Sequence, residues 1–163
     1  IYGKTFTVPQ ALIKKQGAKI MGLDNPLKKM SKSSPNLYDH IVLTDSPDLI
    51  KDKIKKAVTD SGKDIKYDPE NKPAISNLLI IYSLIVDEPV KSLEARYKNS
   101  GYADFKNDLA QELIKFLKPF QGKYQELIQK PAYLKKILAD GALRANKIAQ
   151  ETIKEVRQKI GLI

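Results

Sequence analysis

The chain has 163 residues, 42% of them hydrophobic, which suffices for one main core with room for a short extra segment. Its 29 lysines and arginines against 19 acidic residues give a net charge of +10, a balance that favours polyanions such as RNA, ATP or acidic surfaces. Without cysteine there is no disulfide framework and no thiolate metal site; the lone His40 cannot assemble a histidine cluster, so no metal bound by protein ligands is expected.

Residues 1–44 read as strand and loop, because the short apolar stretches Thr5-Phe6-Thr7-Val8 and Ile41-Val42-Leu43 are interrupted by proline and glycine. Within them lies the densest chemistry of the chain, Lys28-Lys29-Met30-Ser31-Lys32-Ser33-Ser34. Lysine offers a mobile point charge, serine hydroxyls and free backbone N–H groups bond phosphate oxygens, and Pro26 and Pro35 discourage a continuous helix. That combination grips polyphosphate. The bland alternative is a solvated basic loop, yet the string KMSKS arises by chance in such a composition only on the order of one time in ten thousand. Repulsion between the lysines and the scarcity of apolar anchors predict a mobile loop from Lys28 to Asn36.

From Asp45 onward the signals turn helical. Asp45 or Ser46 can cap a helix with Pro47 at its first position, Ile50, Ile54, Ala57 and Val58 forming its apolar stripe and Lys51, Lys53, Lys55 and Lys56 facing outward. Those lysines are a solvated face or an RNA contact. Pro73 starts a segment, Ala74 to Val86, that is apolar on nearly every side and therefore suits a buried central helix, with Asn77 as a satisfied amide or, less commonly, a ligand-binding residue within it. Pro89 to Tyr97 predicts a shorter helix. Phe105, Leu109, Leu113 and Leu117 mark a long one that Pro119 should kink or end, with Phe120, Tyr124, Leu127 and Ile128 resuming the stripe. Tyr97 and Tyr124 are core aromatics or, less commonly, platforms for RNA bases. Pro131 to Leu138 predicts another helix broken at Asp140-Gly141, and Ala145, Ile148, Ala149, Thr152, Val156 and Ile160 give a last helix one apolar face. The expected fold class is mainly α, an antiparallel helical bundle preceded by a small strand and loop segment.

KMSKS is the second signature of the class I aminoacyl-tRNA synthetases, and its surroundings resemble the tryptophanyl branch of that family. The likeness is carried by Gly17-Ala18-Lys19-Ile20-Met21-Gly22-Leu23 with Pro26, by Ala57-Val58-Thr59-Asp60-Ser61, Tyr67-Asp68 and Lys72-Pro73-Ala74-Ile75-Ser76-Asn77-Leu78-Leu79. Gly101-Tyr102 with Phe105-Lys106, and Asp140-Gly141-Ala142 with Ala145, extend it across essentially the whole chain. The tyrosyl branch usually has a degenerate loop and a different tail. Two positions depart from the usual pattern: Ser34 stands where many relatives are acidic, and Ala74 where many have glycine.

The resemblance implies that residues 1–44 are the end of a Rossmann-type catalytic domain and residues 45–163 a helical domain that recognises tRNA(Trp), chiefly its anticodon arm. It implies Lys29 and Lys32 as the catalytic lysines, and Ile20, Lys29, Met30, Ser31, Lys32 and Ser33 as the ATP-binding set, ATP arriving with Mg2+. Nothing like the family's opening nucleotide-binding half, with its His-Ile-Gly-His-type motif and tryptophan pocket, is found, and the chain begins at Ile1. It therefore reads as the C-terminal half of a tryptophan-activating ligase, inactive by itself, whose full-length form is expected to be a cytoplasmic homodimer with no membrane attachment; an organellar origin stays open. The competing reading is a standalone helical RNA-binding or adaptor module derived from a synthetase.

Overall fold

The computed structural model describes residues 2–14 and 16–163, and among them it is mainly helical. Five helices follow in order: α1 (Pro47–Lys56), α2 (Pro73–Val86), α3 (Val90–Arg96), α4 (Tyr102–Ile128) and α5 (Pro131–Lys159). The chain divides into two compact units, one formed by Ile13–Gly122 and the other by Lys123–Ile163 with the N-terminal residues up to Leu12. Where short strands were expected at Thr5–Val8 and Ile41–Leu43, the backbone is irregular, and pairing is limited to two isolated antiparallel bridges, Met21 with Lys29 and Asp68 with Lys72. An extended segment becomes a strand only when a neighbour supplies the ladder of hydrogen bonds, and these segments have none among the described residues.

In the Ile13–Gly122 unit the starts of α1 and α2 satisfy the unpaired N–H groups of the first turn in different ways. Ser46 caps α1, its Oγ accepting from the Leu49 N–H at 3.2 Å, and Pro47 follows as expected. The start of α2 has no cap from its own preceding residue. Instead the Asp60 carboxylate, from the loop before it, accepts from the N–H groups of Ala74 and Ile75 at 3.2 and 2.8 Å. A carboxylate there also meets the positive end of the helix dipole. The far end of α1 is closed by Lys106 of α4, whose ammonium donates to the carbonyls of Lys55 (3.2 Å) and Ala57 (2.6 Å).

The core runs through this unit. Ile50 and Ile54 of α1, Ile75, Leu78, Leu79 and Tyr82 of α2, Leu93 of α3, and Phe105, Leu109, Leu113 and Leu117 of α4 are all buried together. Tyr82, Tyr97 and Phe105 form an aromatic knot, with Tyr97 and Phe105 edge to face at 5.1 Å. The two phenols meet at 3.0 Å, and Tyr97 donates to Asp108 at 2.8 Å, so the buried hydroxyls are satisfied. Burial, with Tyr82 and Asp108 beside it, pushes the Tyr97 phenol far above its ordinary range. The helix α2 is apolar nearly all round because it lies in this core; among the described residues no single helix is long and apolar enough to cross a membrane. Asp87 ends α2 in the left-handed conformation, φ 55°, and the chain bends by 107° into α3.

Neither Pro119 nor Asp140-Gly141 ends its helix. Pro119 sits inside α4, which continues to Ile128. A proline removes one backbone donor, but buried Leu113 and Leu117 precede it, and Gln121 just beyond donates to the carbonyls of Leu43 and Asp45, both at 2.9 Å, so the flanking turns are held. Asp140-Gly141 does not interrupt α5 either. Gly141 is not among the glycines with positive φ, and a glycine in helical conformation costs only about 1 kcal/mol relative to alanine, less than ending a long helix. The end of α5 is a Schellman motif: Gly161 has φ 76°, its N–H meets Gln158, and the Leu162 N–H meets Arg157 at 2.8 Å.

Candidate nucleotide-binding loop

The KMSKS segment grows out of a tight hairpin. Gly22 donates to the Lys28 carbonyl at 2.8 Å and Met30 to the Ile20 carbonyl at 3.0 Å, flanking the bridge between Met21 and Lys29. In such an antiparallel pair the two central residues turn their own N–H and C=O groups outward, away from each other. On one edge the outward groups of Met21 are taken by Asn77 of α2: its Oδ1 accepts from the Met21 N–H and its Nδ2 donates to the Met21 carbonyl, both at 2.9 Å. The side-chain amide thus does what the peptide of a third strand would do. On the other edge the N–H and C=O of Lys29 have no partner among the described residues.

Beyond the hairpin the Ser31 N–H donates to Asp39 Oδ2 at 2.9 Å, and the Asp39 carbonyl accepts from Leu23 at 2.8 Å. Asp39 is 5% exposed, and the same aspartate therefore ties the return of the loop to its outgoing arm. Gly22 makes room for it: a Cβ at that position would stand 2.1 Å from Asp39 Oδ1. Next to it His40 is buried with Nδ1 unpartnered, 3.9 Å from Asp39 Oδ2. Past these ties Ser34 folds back onto the Ser31 carbonyl at 3.0 Å in a short turn.

This places the sequence candidates clearly. Lys29, Ser31, Lys32 and Ser33 are exposed, whereas Ile20 and Met30 are half-buried, Met30 against the core. Neither Lys29 nor Lys32 has an ion-pair partner among the described residues. The loop therefore sets unpaired cations beside serine hydroxyls on an anchored base, Ser31 Oγ also accepting from the Ser33 N–H at 3.3 Å, an arrangement that suits a polyphosphate. Asn77 is the satisfied amide expected of it. Asp39 and Gly22 were not distinguishable from sequence, since nothing local marks an aspartate in Tyr38-Asp39-His40 as the acceptor for an amide on the other side of the loop.

Elsewhere one expectation is corrected. Lys53 does not face outward: it is 2% exposed and paired with Asp45 at 2.6 Å, its long stem buried with the core. Lys56 is spent on Asp52 and Tyr38, and that contact holds the Asp52 carboxyl below its ordinary range. Tyr97 is enclosed in the aromatic knot and offers no face to a base, while Tyr124 remains about half exposed. The free lysines of α1, Lys51 and Lys55, line a cleft of about 470 Å3 with Tyr102, Lys106 and Asn107 of α4, and no carboxylate lines it. Burial holds the Lys106 ammonium below its ordinary pKa.

Comparison with known proteins bears on this geometry directly. Residues 1–118 match the family model described as tRNA synthetases class I (W and Y), and the chain belongs to that family. Its relatives point to the tryptophan branch. It is 48% identical over 99% of its length to tryptophan–tRNA ligase of Bacillus subtilis (strain 168), and 44% identical over 99% to that of Wolinella succinogenes. It spans 48% and 49% of those proteins, so the chain is about half the length of the curated relatives it matches. Among solved structures, tryptophanyl-tRNA synthetase from Mycoplasma pneumoniae superposes with a TM-score of 0.89 at 29% identity, covering 98% of this chain and 48% of that one. The Campylobacter jejuni enzyme, complexed with ADP and tryptophan, gives 0.67 at 36% identity, covering 98% of this chain and 49% of that one.

Proposed function

We propose that this chain is the C-terminal half of a tryptophan–tRNA ligase, contributing the ATP loop and an RNA-facing helical domain to an enzyme that activates tryptophan and transfers it to tRNA(Trp). The observation that carries the reading is the anchored hairpin that presents Lys29 and Lys32 without an ion-pair partner among the described residues. When the tryptophan carboxylate attacks the α-phosphate of ATP, negative charge grows on the departing pyrophosphate. Cations that grip that charge harder than they grip bound ATP lower the barrier. Lys29 and Lys32 fill this role, with the hydroxyls of Ser31 and Ser33 and the backbone of Met30 beside the phosphates and the Ile20 backbone toward the adenine.

Mg2+ would neutralise phosphate charge in the bound ATP. Asp39 is committed to the Ser31 N–H and Asp24 to Asn36, so the ion would enter with the triphosphate and not on carboxylates of this loop. In this reading residues 1–44 complete the catalytic domain and residues 45–163 meet the tRNA, Lys51 and Lys55 in the cleft being suited to its phosphates. The full-length protein is a cytoplasmic homodimer. The isolated chain makes no adenylate, because the groups that hold tryptophan lie in the other half and proximity of both substrates is the larger part of the rate.

The test is made in the full-length enzyme. Replacing Lys29 or Lys32 by alanine should lower tryptophan-dependent pyrophosphate exchange by roughly two to four powers of ten with little change in tryptophan affinity. Near-normal turnover in both variants sinks the assignment. For the RNA-facing part, binding of tRNA transcripts to the chain should weaken steeply from low to physiological salt, as phosphate neutralisation requires. A salt-insensitive affinity argues against it.

A further inference from the structure

The ammonium groups of Lys29 and Lys32 can act on a leaving group only if their backbone stands at a set height above the helical core, and the apolar contact of Met30 with that core is a single point of support. Two polar ties add to it. Asn77, 7% exposed and rooted in the first turns of the buried helix α2, holds Met21, the residue paired with Lys29. Asp39, equally buried, holds the N–H of Ser31, between the two lysines. We infer that Asn77 and Asp39 are positioning residues for the adenylation reaction, a two-point clamp that fixes the loop base under Lys29 and leaves Lys32 on the freer turn beyond Ser31.

The inference rests on the proposed role of the two lysines and adds to it a prediction about residues that touch no substrate. Both clamp members reach the loop through its backbone, so their effect does not depend on which side chains the loop carries. The geometry also explains a glycine. Gly22 lacks the Cβ that would expel the Asp39 carboxylate, so the hairpin can close around it. Released from either tie, the lysines would still be present and charged, but spread over a wider set of positions. A shift of about 1 Å in a group that must meet a transition state can cost about 100-fold in rate while leaving ground-state binding nearly unchanged.

The experiment uses Asn77→Asp, Asn77→Ala, Asp39→Asn, Asp39→Ala and Gly22→Ala in the full-length enzyme, with Lys29→Ala alongside. Asn77→Asp keeps the acceptor for the Met21 N–H and loses the donor, and Asp39→Asn keeps an oxygen for the Ser31 N–H, so both should fold; thermal unfolding checks each variant. The expected result is a fall in kcat for pyrophosphate exchange of about 10- to 100-fold for the alanine variants, a smaller fall for Asp39→Asn, and an unchanged KM for tryptophan. In the 163-residue chain, amide exchange should accelerate at Ser31 for Asp39→Ala and at Met21 for Asn77→Ala, with the α2 and α4 core amides unmoved. A folded Asn77 or Asp39 variant with normal kcat, while Lys29→Ala is crippled, overturns the clamp and leaves the lysine assignment standing. If Lys29→Ala is itself normal, the underlying reading has failed, and the clamp as a catalytic device falls with it. Core amides that exchange faster together with the loop, or a KM that rises with kcat unchanged, would show a merely structural role and also overturn the inference.

Discussion

The Ile13–Gly122 unit and helix α5 carry the same kind of apolar periodicity and end in opposite states. In the former the stripes of α1 to α4 close on one another, and Ile54, Ile75, Leu79, Leu93, Phe105 and Leu109 lose all contact with water. In α5 no residue is buried at all, and Leu138, Leu143 and Ile148 are each about 70% exposed. The difference teaches that a stripe specifies which face of a helix can be buried and not what buries it. The site follows the first unit, because the loop hangs from Asn77 and Asp39, both held by that core.

The largest test of the contrast is a pair of truncations. Phe105→Ala should cost about 3–5 kcal/mol, since a fully enclosed ring leaves a cavity in the aromatic knot, whereas Leu138→Ala in α5 should stay within about 0.5 kcal/mol. Urea unfolding of the two variants, read at constant slope, decides it; equal costs would mean that α5 is buried in solution. Next comes the charge inside the core unit. Asp45→Ala strands the buried Lys53 ammonium and should also cost about 3–5 kcal/mol, while the double change Asp45→Leu with Lys53→Met recovers most of it. A harmless single change would show that Lys53 reaches water.

Smaller, and of opposite sign, is Gly141→Ala in α5. The glycine has helical backbone and no neighbour within 4 Å of an added Cβ, so alanine should stabilise by about 0.4–1 kcal/mol through the unfolded chain. A loss in place of a gain would reveal a close approach of another surface at that point. The smallest effect is electrostatic. Lys123 and Lys130 flank Glu126 and pull its carboxyl down from an ordinary 4.5 to about 2. A depressed carboxyl stabilises the fold above its unfolded pKa, and that contribution fades as pH falls from about 4.5 toward 2. All three side chains are about half exposed, so raising the salt should move the Glu126 carboxyl back toward its ordinary value in an NMR titration.

Much of the helical order was legible because its causes are local. Ser46-Pro47 states the start of α1, the apolar run after Pro73 states a buried α2, and the spacing of Phe105, Leu109, Leu113 and Leu117 states the inward face of α4. The reading failed where a local signal was weighed without its surroundings. Pro119 and Gly141 lower the propensity of a helix without ending it, and Lys53 looked like its neighbours on α1 until Asp45 was placed beside it. The loop itself was plain from composition, since cations and hydroxyls between prolines need no fold to be recognised.

By itself, then, the sequence determined the helix-forming segments, the faces they offer for burial, the phosphate-gripping character of Lys28 to Ser34 and the family resemblance that follows from it. These depend on residue type and on spacing within a turn or two, which the chain carries wherever it goes. Only the tertiary structure decided that Asp60 caps a helix it does not belong to, that Asn77 completes a hairpin for Met21, and that Asp39 holds Ser31 from the far side of the loop. Each is a hydrogen bond between groups that sequence separation does not relate, made strong by burial. Burial is a property of the assembled core and of no single segment.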